Sequence, residues 1–92
     1  MIEKMKKEFT VEYQQVLVGM RIRELRKKQG MSQEALALRS GVDRTYITTL
    51  EAGTRNMSIV SISKVCHGLN LSLEEFFTSP LFGQLIQDDT EE

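Results

Sequence analysis

The chain has 92 residues, 40% of them hydrophobic, with one Pro, one Cys and a formal net charge of −1. That length allows one domain with a modest core and leaves no room for a deep catalytic cleft, so a binding module is the default expectation. No run approaches the roughly 18 apolar residues of a membrane span, and one cysteine makes no internal disulfide, which suits a reducing cytoplasm.

The near-neutral sum hides an uneven distribution. Residues 15–79 hold nine Lys/Arg against six Asp/Glu, while residues 80–92 hold only the acids Asp88, Asp89, Glu91 and Glu92. Residues 1–14 balance. A weakly positive body with an acidic tail can still meet nucleic acid, provided its phosphate contacts are few and well placed.

Three segments follow: an arm or helix extension over 1–14, a domain over 15–79, and an apolar segment with an acidic tail over 80–92. In the first, Ile2, Met5, Phe9 and Tyr13 are spaced by three and four, which suits a helical arm. The β-branched Thr10 and Val11 weaken that helix, so an ordered arm and a frayed terminus both stay open. The charged start, Met1 to Lys7, leads into no apolar stretch, and no secretory signal is expected.

Val18, Ile22 and Leu25 predict a first helix from about Gln14 to Gln29, ended by Gly30 as a left-handed cap. Ser32 caps a second helix that buries Leu36 and Ala37 and runs to Ser40. Gly41 supplies the positive φ of a tight turn, and Asp43 is placed to cap a third helix from about Arg44 to Ala52, closed by Gly53. Two helices crossing steeply through such a turn need a small residue at the crossing, which Ala37 provides. Ile47 and Leu50 point one stripe of the third helix inward and leave Arg44, Thr45, Thr48 and Thr49 on a polar face.

Ser58 caps a fourth helix whose buried stripe is Ile59, Ile62, Val65 and Leu69. Ser72 and Glu75 form a capping box for a fifth, whose Leu73, Phe76 and Phe77 close the core before Pro80. Beyond it, Leu81, Phe82, Leu85 and Ile86 form an apolar patch suited to packing on the domain or across a dimer. His67 has no second His or Cys at ligand spacing, so neither a metal nor another cofactor is expected. Cys66 reads as a small core residue. Without an acid/base pair or nucleophile constellation, an enzyme is not expected.

The words Gly30-Met31-Ser32-Gln33, Leu36-Ala37, Gly41-Val42 and Leu50-Glu51-Ala52-Gly53 resemble the helix-turn-helix of the Cro/CI-type (XRE) regulators, over roughly residues 16–78. Asp43-Arg44-Thr45-Tyr46-Ile47 with Arg55-Asn56 is similar to the controller proteins of restriction-modification systems. The resemblance implies an all-α, five-helix lambda-repressor-like DNA-binding domain with the helix-turn-helix at helices 2 and 3. It also implies an ion pair between Arg26 and Glu51.

On the same resemblance, Arg44, Thr45, Thr49 and Thr48 fall at or beside base-reading positions, and Gln33 grips a phosphate. Tyr46, Arg55, Asn56 and Ser58 are further candidates for phosphate. Ala52 departs from the Asn some members use for phosphate, Cys66 stands where Ala is usual, and Gly68 replaces a more frequent Ala, which should weaken the fourth helix by up to about 1 kcal/mol.

The implied function is a cytoplasmic, nucleoid-associated transcriptional regulator binding a pseudo-palindromic operator as a homodimer and controlling its own gene and a restriction-modification operon. Ile59, Ile62, Phe76, Leu81 and Phe82 are the expected dimer face. Double-stranded DNA and a second copy are the expected partners, with RNA polymerase a further candidate; no membrane or small-molecule ligand is expected. An antitoxin-like or phage-type repressor, with arm or tail holding a partner protein, is the alternative.

Overall fold

A computed structural model describes residues 10–83 and consists, among these, of five α-helices and one 3₁₀ turn, with no strand. The helices are α1 (Val11–Lys28), α2 (Gln33–Ser40), α3 (Arg44–Ala52), α4 (Ile59–Leu69) and α5 (Leu73–Phe77), followed by the 3₁₀ turn Pro80–Phe82. No helix among the described residues is long and apolar enough to cross a membrane.

The first helix starts earlier than its apolar pattern suggests. Thr10, read as a weak helix former, is instead its N-cap, with Oγ1 accepting from Tyr13 N at 3.1 Å. A hydroxyl that costs helicity inside a helix gains a partner at its start. The boundary drawn between residues 14 and 15 therefore falls inside α1, and Ile2, Met5 and Phe9 lie outside the described residues.

Leu17, Ile22 and Leu25 are the buried aliphatic residues of α1, with Val18 at the core's edge. Gly19 is buried between them because α3 passes directly over it: a Cβ there would stand 2.3 Å from the carbonyl oxygen of Leu50. Ser32 and Ser58 cap α2 and α4, and Ser72 with Glu75 forms the capping box of α5. Gly41 has φ +72°, and Asn70 closes α4 with φ +60°. Asp43 takes the N-cap backbone geometry of α3 but makes no side-chain cap bond.

Leu36, Ala37, Ile47, Leu50, Val65, Leu69 and Phe76 fill the centre. Gly68 belongs to this packing. A Cβ on it would meet Ser40 Oγ at 2.2 Å and Leu36 Cδ1 at 3.1 Å, so the residue read as a helix-weakening departure is what lets α4 lie against α2.

Four expectations for the C-terminal half need correction. Ile59 is 58% exposed and not part of the buried stripe, because it projects past the end of the core at the first residue of α4. Leu73 and Phe77 are about one-third exposed, since a five-residue helix turns only one side, that of Phe76, inward. Phe76 and Ile62, expected at a dimer face, are 0% and 8% exposed within one chain and have little surface to offer a partner. Pro80 does not end α5, which stops at Phe77; it opens the 3₁₀ turn that brings Phe82 against the rings of Phe76 and Phe77. Leu85 and Ile86 lie outside the described residues.

Arg21 ties this end to α1. Its Nε donates to Phe76 O at 2.7 Å and its Nη2 to Glu75 O at 2.9 Å and Thr78 O at 3.2 Å. The Phe76 and Thr78 carbonyls lie at the helix end, where intrahelical donors run out, and the Glu75 carbonyl accepts from Thr78 N as well, so a side chain from another helix completes the C-terminal cap.

Candidate nucleic-acid interface

A recognition helix must be held rigidly from behind if its front is to read anything. Arg26 of α1 does this, with Nε donating to Glu51 Oε2 at 2.6 Å and Nη2 to Oε1 at 2.9 Å. Its Nη1 donates to Met31 O at 2.7 Å, so one guanidinium joins α1, α3 and the lead into α2. The Glu51 hydrogen bond and charge hold the Arg26 pKa above its usual value despite the opposing effect of burial. The expected ion pair is present and bidentate, the stronger form of such contacts.

Glu51 Oε1 also accepts from Gln33 Nε2 at 3.0 Å, and Gln33 Oε1 accepts from Thr48 Oγ1 at 2.9 Å. Gln33 thus bridges the start of α2 to the polar face of α3. One of its two amide N–H groups is left for another acceptor, beside the backbone N–H groups of a helix start.

On the front of α3, the side chains of Arg44 and Thr45 are exposed and make no hydrogen bond or ion pair with any described residue. Thr48 is exposed but shares its hydroxyl proton between Gln33 and the Arg44 carbonyl. Thr49 is half-buried: its hydroxyl donates to Tyr46 O and accepts from Arg55 Nε, both at 2.9 Å. That leaves mainly its methyl for a base. The Arg55 guanidinium also lies 4.8 Å from the Tyr46 ring centre, a cation–π arrangement that fixes it beside the helix.

Ser58 Oγ is engaged by the Ser61 backbone as the α4 cap. Asn56 lines a mostly apolar hollow of about 240 Å³ with Val11, Val18 and Met57. Both are exposed, Ser58 with its hydroxyl engaged and Asn56 beside that hollow, whereas Gln33, Tyr46 and Arg55 share clefts with α3 residues.

Two cations escaped the sequence reading. Arg23 lines an open cleft of about 280 Å³ with Gln33, Thr48 and Ala52, above the Arg26–Glu51 pair. Lys64 lines another of about 410 Å³ with Asp43, Thr45, Tyr46 and Arg55. Arg23 was within reach of the sequence, since it precedes Arg26 by three on one helical face. Lys64 was not, because its place depends on how α4 crosses α3. Cys66 is buried, and burial raises its thiol pKa, as suits a core residue. The described residues contain no group of three His, Cys, Asp or Glu able to hold a metal.

This arrangement, a short exposed helix braced on its inner side and flanked by free cations, defines a helix-turn-helix protein. Residues 22–76 match the helix-turn-helix family, and the chain belongs to it. Its relatives include restriction-modification controllers. Control protein C.MunI from Mycoplasma sp is 41% identical over 61 residues, covering 65% of this chain and 82% of the relative. Control protein C.BamHI from Bacillus amyloliquefaciens is 36% identical over 73 residues, covering 78% and 90%.

Among solved structures, the controller protein C.AhdI from Aeromonas hydrophila matches with TM-score 0.67 and 45% identity, covering 70% of this chain and 97% of that one. The C.Esp1396I tetramer in complex with its natural 35 base-pair operator matches with TM-score 0.66 and 36% identity, covering 80% and 91%. The chain is a DNA-binding transcriptional regulator of the helix-turn-helix family.

Proposed function

We propose that this chain is a restriction-modification controller that binds a pseudo-palindromic operator as a homodimer through α3, in the cytoplasm, and regulates its own gene with the linked operon. Arg44 and Thr45 read bases: the Arg fork matches guanine O6 and N7, and the Thr can bond a base edge or touch a thymine methyl. Gln33, Tyr46 and Arg55 hold backbone phosphates. The observation that carries this reading is that the Arg44 and Thr45 side chains stand exposed and unpartnered among the described residues, on a helix whose back is locked by Arg26 and Glu51.

A further support comes from C.Esp1396I, of which structures exist with an Arg, the Thr after it and the Tyr after that each replaced. Arg44-Thr45-Tyr46 is the only Arg-Thr-Tyr run in this chain. For pairing, the apolar surface on offer is Ile59 and Val60 of α4 with Leu73, Phe77, Leu81 and Phe82. Two copies would set their recognition helices about 34 Å apart, one turn of DNA. Where the protein activates, RNA polymerase is the further partner.

The test compares Arg44→Ala with Arg55→Ala on the duplex the protein selects and on random duplex. Arg44→Ala should lose about 1–3 kcal/mol on the selected site alone, and Arg55→Ala should weaken both and lower the salt slope by about one per protomer. Equal losses on both duplexes for Arg44→Ala would remove its base-reading role.

A further inference from the structure

The clefts that hold Arg23 and Lys64 open on the two sides of one ridge. At 3.6 residues per turn, the α3 residues of the Arg23 cleft (Thr48, Glu51, Ala52) and those of the Lys64 cleft (Thr45, Tyr46) are centred roughly 110° apart around the helix. Thr45 and Ala52 lie on the ridge between, and the buried Ile47 and Leu50 face the opposite way. Each cleft carries one more cation than anion. In the first, Glu51 is committed to Arg26 and leaves Arg23 uncompensated; in the second, Arg55 and Lys64 face only Asp43.

The side chains of Arg23 and Lys64 are exposed and bond no described residue, so neither has a structural task that explains it. A helix seated in the major groove has one phosphate strand along each flank, because the groove is only about 12 Å wide.

We infer that Arg23 and Lys64 are a pair of phosphate anchors, one for each strand bordering the groove, and that together they fix the roll of α3 about its own axis. This rests on α3 being the recognition helix, as proposed above. Arg55 is bonded to Thr49 and stacked on Tyr46, which gives it a fixed reach; the long free side chains of Arg23 and Lys64 supply the outer contacts. Because roll decides which of Arg44, Thr45 and Thr49 comes nearest the bases, the two anchors act on selectivity as positioning residues.

The experiment uses the full chain and the duplex it selects from a random pool. Binding of the wild type, Arg23→Ala, Lys64→Ala, the double variant and Arg23→Lys is measured from about 50 to 200 mM salt, alongside thermal unfolding. Each single alanine variant should lower the slope of log K against log salt by about one per protomer, about two for the bound dimer, at unchanged melting temperature, and Arg23→Lys should keep the wild-type slope. The double variant should also accept a broader set of sites on reselection.

Wild-type slopes in both alanine variants, or a change in only one, would overturn the bracketing of the groove. A wild type that selects no site would instead overturn the recognition reading beneath it.

Discussion

Thr48 Oγ1 donates to Gln33 Oε1 at 2.9 Å, so the residue that begins α2 is bonded to the exposed polar face of α3. Gln33 is in turn held by Glu51, and its carboxamide is fixed in direction before any ligand arrives. A preoriented neutral donor gives a distinctive signature. Gln33→Ala should weaken DNA binding by about 1.5–3 kcal/mol, the scale of a hydrogen bond to a charged group. Unlike Arg55→Ala, it should leave the salt slope unchanged, because no counterion is released by an uncharged side chain. Titrations at several salt concentrations check this.

Glu51→Ala strands the nearly buried Arg26 guanidinium and frees Gln33. It should destabilise the fold by about 3–5 kcal/mol, read as a drop in the urea midpoint. An unchanged midpoint would mean that the pair does not brace the two helices.

Gly68→Ala separates two opposing effects. Helix propensity alone predicts a gain of up to about 1 kcal/mol, whereas the 2.2 Å approach to Ser40 Oγ predicts a loss of about 1–3 kcal/mol from overpacking. The loss should win, because the neighbouring atoms belong to the α2 backbone and to packed side chains. Ser40 Oγ is buried without a hydrogen-bond partner, so Ser40→Ala should cost little by itself and recover part of the loss in the double variant. Unfolding free energies of the four proteins complete the cycle.

Cys66 is buried and its thiol pKa is raised by that burial. The native protein should resist iodoacetamide near neutral pH while the unfolded chain reacts readily. The unfolded thiol ionises first as pH passes about 8.5, so this group's contribution to stability is intact below that value and falls as pH rises through the folded pKa. Cys66→Ala should flatten that part of the pH profile.

The features legible in the sequence are local ones. Ser32, Ser58, Ser72 with Glu75, and Gly41 act within a few residues of themselves, so their chemistry could be read without knowing where the helices go. The Arg26–Glu51 pair, 25 residues apart, was carried by the family resemblance. What stayed hidden depends on how one helix meets another. Gly19 and Gly68 look like propensity defects until α3 and α2 are laid across them, and the Arg21 cap needs the end of α5 beside α1. Ile59 fits the apolar period of α4 yet falls beyond the core's edge, because periodicity gives a face and not its extent. At the site, Thr49 kept its position but not its freedom, its hydroxyl being taken by Tyr46 and Arg55.

The central claim is that the ridge of α3 reads DNA sequence as one half of a two-fold pair. Binding-site selection from a randomised duplex pool, read by sequencing, tests it most directly. The expected outcome is an enriched pseudo-palindrome with half-sites about 10–10.5 base pairs apart, whose preference at one symmetric base pair relaxes in Arg44→Ala. A pool that stays random through selection, or one whose enriched site is read identically by Arg44→Ala, would contradict it.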